Sequence, residues 1–255
     1  MLTLKQPRML TILSFGLVFA SPTVYADQWQ FSVEPYLMAT AIDGSSAIGT
    51  IEAPLEVEFD TILNNLDSAF MLHLEGYHQS NWGFIADWGY MDLSKSHNAP
   101  KLGVLSARVR QAVLELSVAY RFSSPSMGDW VNYVGIRGWD NTYEFDLDPN
   151  FMSQVSVVDR DEDWIDLIFG FHLNKQLSEH WQLTTAGDLG GFNLNAKLTG
   201  SFKLGAVYQI NPHWDLGMSY KTTYVDYQTG QRGNKNFFSY DTFTHGPQIS
   251  VSYQF

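Results

Sequence analysis

The chain contains no cysteine. That excludes a disulfide frame, a thiolate metal site and a lipid anchored through an N-terminal thiol. Basic residues are also few, 15 Lys and Arg against 27 Asp and Glu, for a formal charge of −12. A surface so poor in cations lacks the electrostatic footprint of a nucleic-acid binder. After residue 26 there is no apolar run of the ~18 residues that a membrane helix needs. Yet 15% of the residues are aromatic, and those rings need cover. In a bilayer only helices and closed barrels satisfy every backbone polar group. With helices excluded by run length, a closed barrel is the remaining membrane architecture.

The first 26 residues read as a cleaved secretory signal peptide. Lys5 and Arg8 form a basic start, Met9 to Ala20 an apolar stretch, and Val24–Tyr25–Ala26 a small-residue site ahead of Asp27. The stretch is too short and wrongly flanked for a membrane span. A retained signal anchor is the alternative. Residues 27–255 then form the barrel, with 13 basic against 27 acidic residues.

A strand alternates faces with period two. In the last eleven residues Pro247, Ile249, Val251, Tyr253 and Phe255 fall on one face, and Gln248, Ser250, Ser252 and Gln254 on the other. The same apolar/polar alternation recurs from Trp29, Phe70, Trp82, Ala112, Trp130, Ile165, Trp181, Leu198 and Trp214. This predicts an all-β fold, an antiparallel up-and-down transmembrane β-barrel of ten strands. Eight or twelve follow if the strand from Trp130 or the segment 43–67 is misread. That segment reads as a long connection with a turn at Asp43–Gly44 and a helical turn near 61–67 capped by Asp60, either a surface hairpin or a fold over the barrel mouth. Pro35 within the first strand predicts a bulge. Ser94–Lys101 and 143–163 read as polar loops. Trp29, Trp82, Trp130, Trp181 and Trp214 each open an alternate strand after a short turn, as an aromatic girdle at a membrane interface does. Ten strands with short turns at that end put both termini in the periplasm.

Several segments together resemble proteobacterial outer-membrane β-barrel proteins, broadly OmpA-like or porin-like. They are Val33–Glu34–Pro35–Tyr36, Ile62–Leu63–Asn64–Asn65–Leu66–Asp67, Gly187–Asp188–Leu189–Gly190–Gly191–Phe192, Tyr224–Val225–Asp226–Tyr227 and His245–Gly246–Pro247. The closing strand, with Tyr253 and the terminal Phe255, resembles the segment by which such barrels are read by the barrel-assembly machinery. The resemblance implies a Gram-negative outer-membrane location among lipid and lipopolysaccharide, and it carries over no catalytic residue.

The inward face collects charges of both signs: Glu34, Glu75, Asp87, Glu115, Arg121, Arg137, Asp166, Asp188, Lys203 and Lys221, with His73, His172 and Asp215. Arg137 is assigned inward because an arginine facing lipid costs roughly 2–4 kcal/mol. A ten-stranded barrel lies near the filled end of the size range. The first expectation is a lumen filled by interlocked charges, with Arg121 and Arg137 neutralising carboxylates, and a structural or surface-interacting role. A narrow cation-preferring pore lined by the acids is the second. A hydrolase at the outer rim is the remote third, drawing on Asp92, His97, Asp159, Asp161, Asp226 and His245. Asp159–Arg160–Asp161–Glu162–Asp163 lacks the glycine and distal glutamate of a calcium loop, so no metal or cofactor is expected. Oligomeric state and any solute stay open.

Overall fold

The computed structural model describes residues 28–99, 103–124, 128–148 and 155–255. The signal-peptide assignment lies outside them. The elements in chain order are β1 (Trp29–Met38), β2 (Ala41–Ile48), β3 (Ile51–Val57), α1 (Phe59–Asn64), β4 (Leu66–His78), β5 (Trp82–Ala99) and β6 (Gly103–Ser124), then β7 (Gly128–Asp148), β8 (Val155–Gln176), β9 (Trp181–Gly190), β10 (Leu198–Gln209), β11 (Trp214–Thr229) and β12 (Phe238–Gln254). β1 and β4 to β12 pair in sequence, each antiparallel to the next, and β1 pairs back onto β12. The result is a closed ring of ten strands with the β2–β3 hairpin outside it. Closure removes the sheet edges that a bilayer would not tolerate.

The outer face is apolar where the alternation predicts it. Leu114, Leu116 and Val118 on β6, Ile165 and Phe169 on β8, and Phe202 and Leu204 on β10 are all exposed. On β8 this band runs from Ile165 to Leu173. Those nine positions match the length of a tilted membrane strand. Above it the same outward face turns acidic: Asp163, Asp161 and Asp159 on β8 stand opposite Asp140, Thr142 and Glu144 on β7. The inner face makes the opposite change, from polar to aromatic. β7 and β8 thus continue past the membrane band with their greasy side turned in.

Several expectations need correction. Residues 143–148 and 155–163 are strand, not loop, with β7 running to Asp148 and β8 beginning at Val155, because strands that rise into water carry acids on the wet face; residues 149–154 of that segment lie outside the described residues. β5 likewise runs to Ala99, beyond the expected start of a loop at Ser94; residues 100 and 101 of that loop lie outside the described residues. Segment 43–67 holds a hairpin, one of its two expected forms, and a helical turn at α1, but the chain does not turn at Asp43–Gly44. Gly44 lies within β2, and the hairpin turns at Gly49–Thr50, where Gly49 has φ 64°. β2 extends the wall by pairing with β12 from Ala41 to Ile48. Glu58, not Asp60, stands at the N-cap of α1; Asp60 accepts the Thr61 N–H instead, at 2.7 Å. Pro35 makes no bulge. The β1–β12 register is unchanged from Ser32↔Gln254 to Tyr36↔Ser250 and merely skips the rungs at Glu34 and Pro35, because proline has no N–H to give.

Candidate functional site

The interior has three storeys. At the end holding the chain termini a vestibule of about 430 Å³ is lined by Gln30, Gln182, Gln209, Gln254, Arg121 and Asp215 among others. Arg121 lies 4.7 Å over the ring of Tyr77 and donates to Gln30 Oε1 at 2.9 Å. Among the described residues it forms no ion pair with a carboxylate, contrary to expectation: its hydrogen-bond partner at this open mouth is an amide, and water can solvate its charge.

The middle storey is a hydrogen-bonded chain. Tyr36 donates to Asp87 Oδ1 at 2.8 Å, His73 bridges Asp87 and Glu75 at 2.9 Å on each ring nitrogen, and His172 reaches Glu75 at 3.2 Å. Both nitrogens of His73 face carboxylates, an arrangement satisfied when both carry hydrogen. Glu34, Lys203 and Lys221 line the same space.

Above it sits Arg137, 1% exposed. Its Nε donates to Glu115 at 2.7 Å, one terminal nitrogen to Asp188 at 2.8 Å, and the other to Thr199 Oγ1 at 3.2 Å. Ser201 also donates to Asp188. Thus β6, β7, β9 and β10 are tied through one guanidinium, whose planar fork suits carboxylates. Asp166 stands opposite Arg137 in register but serves another purpose. It accepts Trp164 Nε1–H at 3.0 Å and the Ala196 N–H at 2.9 Å. That second bond pulls the β9–β10 loop over the lumen, with Ala196 fully buried. The Gly187–Phe192 motif acquires a physical reading here. Asp188 holds Arg137, a Cβ on Gly190 would lie 2.4 Å from the Leu167 carbonyl, and Gly191 turns the chain at φ 83°.

The top storey is aromatic. Trp139, Tyr143, Trp164, Tyr227, Phe238 and Tyr240 pack with Ala196 and Val225 into one buried cluster. Trp164 stacks on Tyr227 at 3.9 Å between centroids and on Trp139 at 5.5 Å. These residues pack above Arg137, and the sequence reading missed them. Their signal was present: Arg137, Trp139, Asn141 and Tyr143 share one parity, as do Asp166 and Trp164, so the inward phase continues unbroken into the segment taken for a loop.

The five tryptophans expected to form a girdle stand at or near the starts of β1, β5, β7, β9 and β11. Trp82 packs on Tyr120, Trp130 on Phe171, Trp181 on Tyr208, Trp214 on Tyr253, and Trp29 on Phe31. Trp130 Nε1–H also covers the outward Asn132, at 2.7 Å. Tyr253 packs on Phe255, whose N–H bonds the Phe31 carbonyl at 2.9 Å.

Among the described residues the rim candidates do not converge. Asp92 pairs with Arg108 at 2.6 Å and Asp226 with Lys197 at 2.8 Å. His245 lies on the outer face, between Asp43 at 2.7 Å and Tyr220 at 2.6 Å. The side chain of His97 lies outside the described residues. In the outermost hairpin Arg232 hydrogen-bonds Glu52 at 2.7 and 2.8 Å and holds its carboxyl below the usual glutamate range.

The closed ring, apolar belt and polar interior define a transmembrane β-barrel of the outer-membrane type. No protein-family model matches the chain, and no curated protein does. Among solved structures it is similar to the outer membrane protease OmpT from Escherichia coli, with a TM-score of 0.49 and 7% identity over 90% of this chain and 97% of that one. It is also similar to the translocator domain of the autotransporter NalP from Neisseria meningitidis, with a TM-score of 0.41 and 14% identity over 89% and 88%. A third is the attachment invasion locus protein Ail of Yersinia pestis, with a TM-score of 0.35 and 8% identity over 89% and 99%. At these values the likeness is one of strand arrangement.

Proposed function

We propose that this chain is a non-conducting, non-enzymatic barrel of the Gram-negative outer membrane, secreted by means of its cleaved N-terminal segment, with a filled lumen and a structural or surface-interacting role. The observation that carries the reading is the aromatic cluster stacked over the Arg137 node. An ion path along the barrel axis would have to pass through buried rings, and each displaced ring would forfeit a few kcal/mol of packing. The vestibule below is then a blind, water-filled cup.

The rest of the reading follows from the exterior. The tryptophan ring anchors the terminal end at the periplasmic interface, where indole rings sit best, leaving both termini in the periplasm. Tyr253 and Phe255 present the closing strand to the assembly machinery. The acidic outward faces of β7 and β8, with β2 and β3, form the cell-surface part, in contact with lipopolysaccharide. Proteoliposome swelling tests the sealed lumen. The wild-type barrel is expected to leave vesicles impermeable to potassium salts and small sugars, and Trp164→Ala combined with Tyr227→Ala to make them leak. Swelling with the wild-type protein would refute the reading and promote the cation-preferring pore.

A further inference from the structure

We propose that the vestibule of the lumen binds a neutral saccharide of one or two rings. Its entry from the periplasm rests on the orientation proposed above, and the site itself on the shape and chemistry of the cup. The space of about 430 Å³ falls within the ~300–1,000 Å³ of ligand pockets. A cavity of ~150 Å³ holds one benzene ring, so there is room for two sugar rings with their hydroxyls. A further space of about 130 Å³ shares Asn174, Gln182 and Gln254 with the vestibule and reaches inward to His73 and His172. The cup thus has depth as well as breadth.

Its wall is built of amides. Gln30 on β1, Asn174 and Gln176 on β8, Gln182 on β9, Gln209 on β10 and Gln254 on β12 all line the vestibule. Gln176 stands opposite Gln182 in register, and closure of the ring brings Gln30 and Gln254 to the same mouth. A side-chain amide offers two donors and an acceptor, and a hydroxyl both donates and accepts. A ring of amides therefore matches a guest covered in hydroxyls. Three of the amides are half engaged: Gln30 accepts from Arg121, Gln176 donates to the Ser178 carbonyl at 2.7 Å and Gln254 to Asp215 at 2.6 Å. Each keeps its other end for a guest. No hydrogen bond among the described residues engages the amides of Gln182 and Gln209. The charges of the cup favour a neutral guest. An anion would meet Glu75, Asp129 and Asp215, and a cation would meet Arg121. Glu75 is already held by His73 and His172, and Asp215 by Gln254. A molecule without charge meets neither repulsion and draws on the amides alone.

The test titrates the refolded barrel with glucose, maltose, cellobiose and diacetylchitobiose in a detergent that has no sugar headgroup. Calorimetry and saturation-transfer NMR read the binding. The wild-type protein is expected to bind at least one of these sugars saturably. Glucosamine and glucuronate, which place a charge on a glucose-sized frame, should bind more weakly than glucose. Gln182→Leu combined with Gln209→Leu should weaken binding at least about tenfold, because two hydrogen bonds are lost. Gln228→Leu, which removes an amide outside the cup, should leave it unchanged. Heat-modifiable migration on gels verifies that each variant is folded. Absence of saturable binding by all four sugars, tighter binding of a charged analogue, or equal binding by the folded double variant would overturn the proposal. Vesicle swelling by the wild type would refute the sealed lumen and leave this binding result standing, so the two readings fail separately.

Discussion

Arg137→Ala is the most demanding test of how the interior is held. The guanidinium is 1% exposed and donates to Glu115, Asp188 and Thr199. Its removal leaves two carboxylates facing each other with no cation between them. Asp188 is already short of partners, since its Oδ1 accepts no hydrogen bond among the described residues. Breaking a buried ion pair from one side costs about 3–5 kcal/mol, chiefly through the charge left behind. At ~2–4 °C per kcal/mol for a domain of this size, the Tm should fall by roughly 6–20 °C. The assay is unfolding in detergent or lipid, followed by heat-modifiable gel migration and circular dichroism. Arg137→Lys should fall between, since an ammonium keeps the charge and loses the fork. Arg137→Met with Glu115→Gln and Asp188→Asn should recover much of the loss, because no buried charge then stands alone. Arg121→Ala is the control. It loses one hydrogen bond and a cation–π contact at an open mouth, worth roughly 1 kcal/mol. Equal melting of Arg137→Ala and wild type, or equal losses for the two arginines, would refute the assignment.

Trp164→Ala removes the ring stacked between Trp139 and Tyr227 and should cost about 3–5 kcal/mol, measured by the same unfolding; a loss below 1 kcal/mol would show that the cluster is loosely packed. Glu52 is held below its ordinary range by Arg232. The stabilisation of the β2–β3 hairpin by this pair is therefore complete above the unfolded glutamate pKa of ~4.3 and is lost as the pH falls through the lower folded value. Amide exchange in β2 and β3 should accelerate in acid in the wild type more than in Arg232→Ala, and identical acid profiles would dismiss the pair. Deleting Phe255 should reduce the amount of assembled barrel in cells while leaving refolded protein equally stable; undiminished assembly would remove the signal role of the closing strand.

The ten-stranded ring was legible because lipid imposes the simplest pattern a strand can carry. Ile165, Leu167 and Phe169 alternate with Asp166, Ile168 and Gly170, and Arg137 could be turned inward on energetic grounds alone. Legibility failed where the solvent changes. Above the membrane the outward residues of β7 and β8 are Asp140, Glu144, Asp159, Asp161 and Asp163, and a run of acids reads as a loop when only one face is considered. The inward face kept its phase through Trp139 and Tyr143, so following parity rather than polarity would have found the aromatic cluster. The β2–β3 hairpin was hidden for a different reason. Its first strand, β2, takes its place in the wall from β12, a partner some 200 residues away (His245↔Ala41 to Phe238↔Ile48), and local pattern holds no trace of that. His245–Gly246–Pro247 marks the exchange: a Cβ on Gly246 would lie 1.7 Å from the Ala39 carbonyl, where β12 passes from β1 to β2. The pairing of the charged residues was not legible. Arg121 and Arg137 look alike in sequence, and depth in the lumen decides that one meets amides and the other meets acids.

The measurement closest to the central claim is the single-channel conductance of the refolded barrel, residues 27–255, in a planar bilayer. A sealed lumen predicts no steps at moderate voltage from the wild-type protein, and steps from the variant carrying Trp164→Ala and Tyr227→Ala. Reproducible, cation-selective steps from the wild type, diminished when Glu75 or Glu115 is neutralised, would contradict the account and make those carboxylates the filter of a pore.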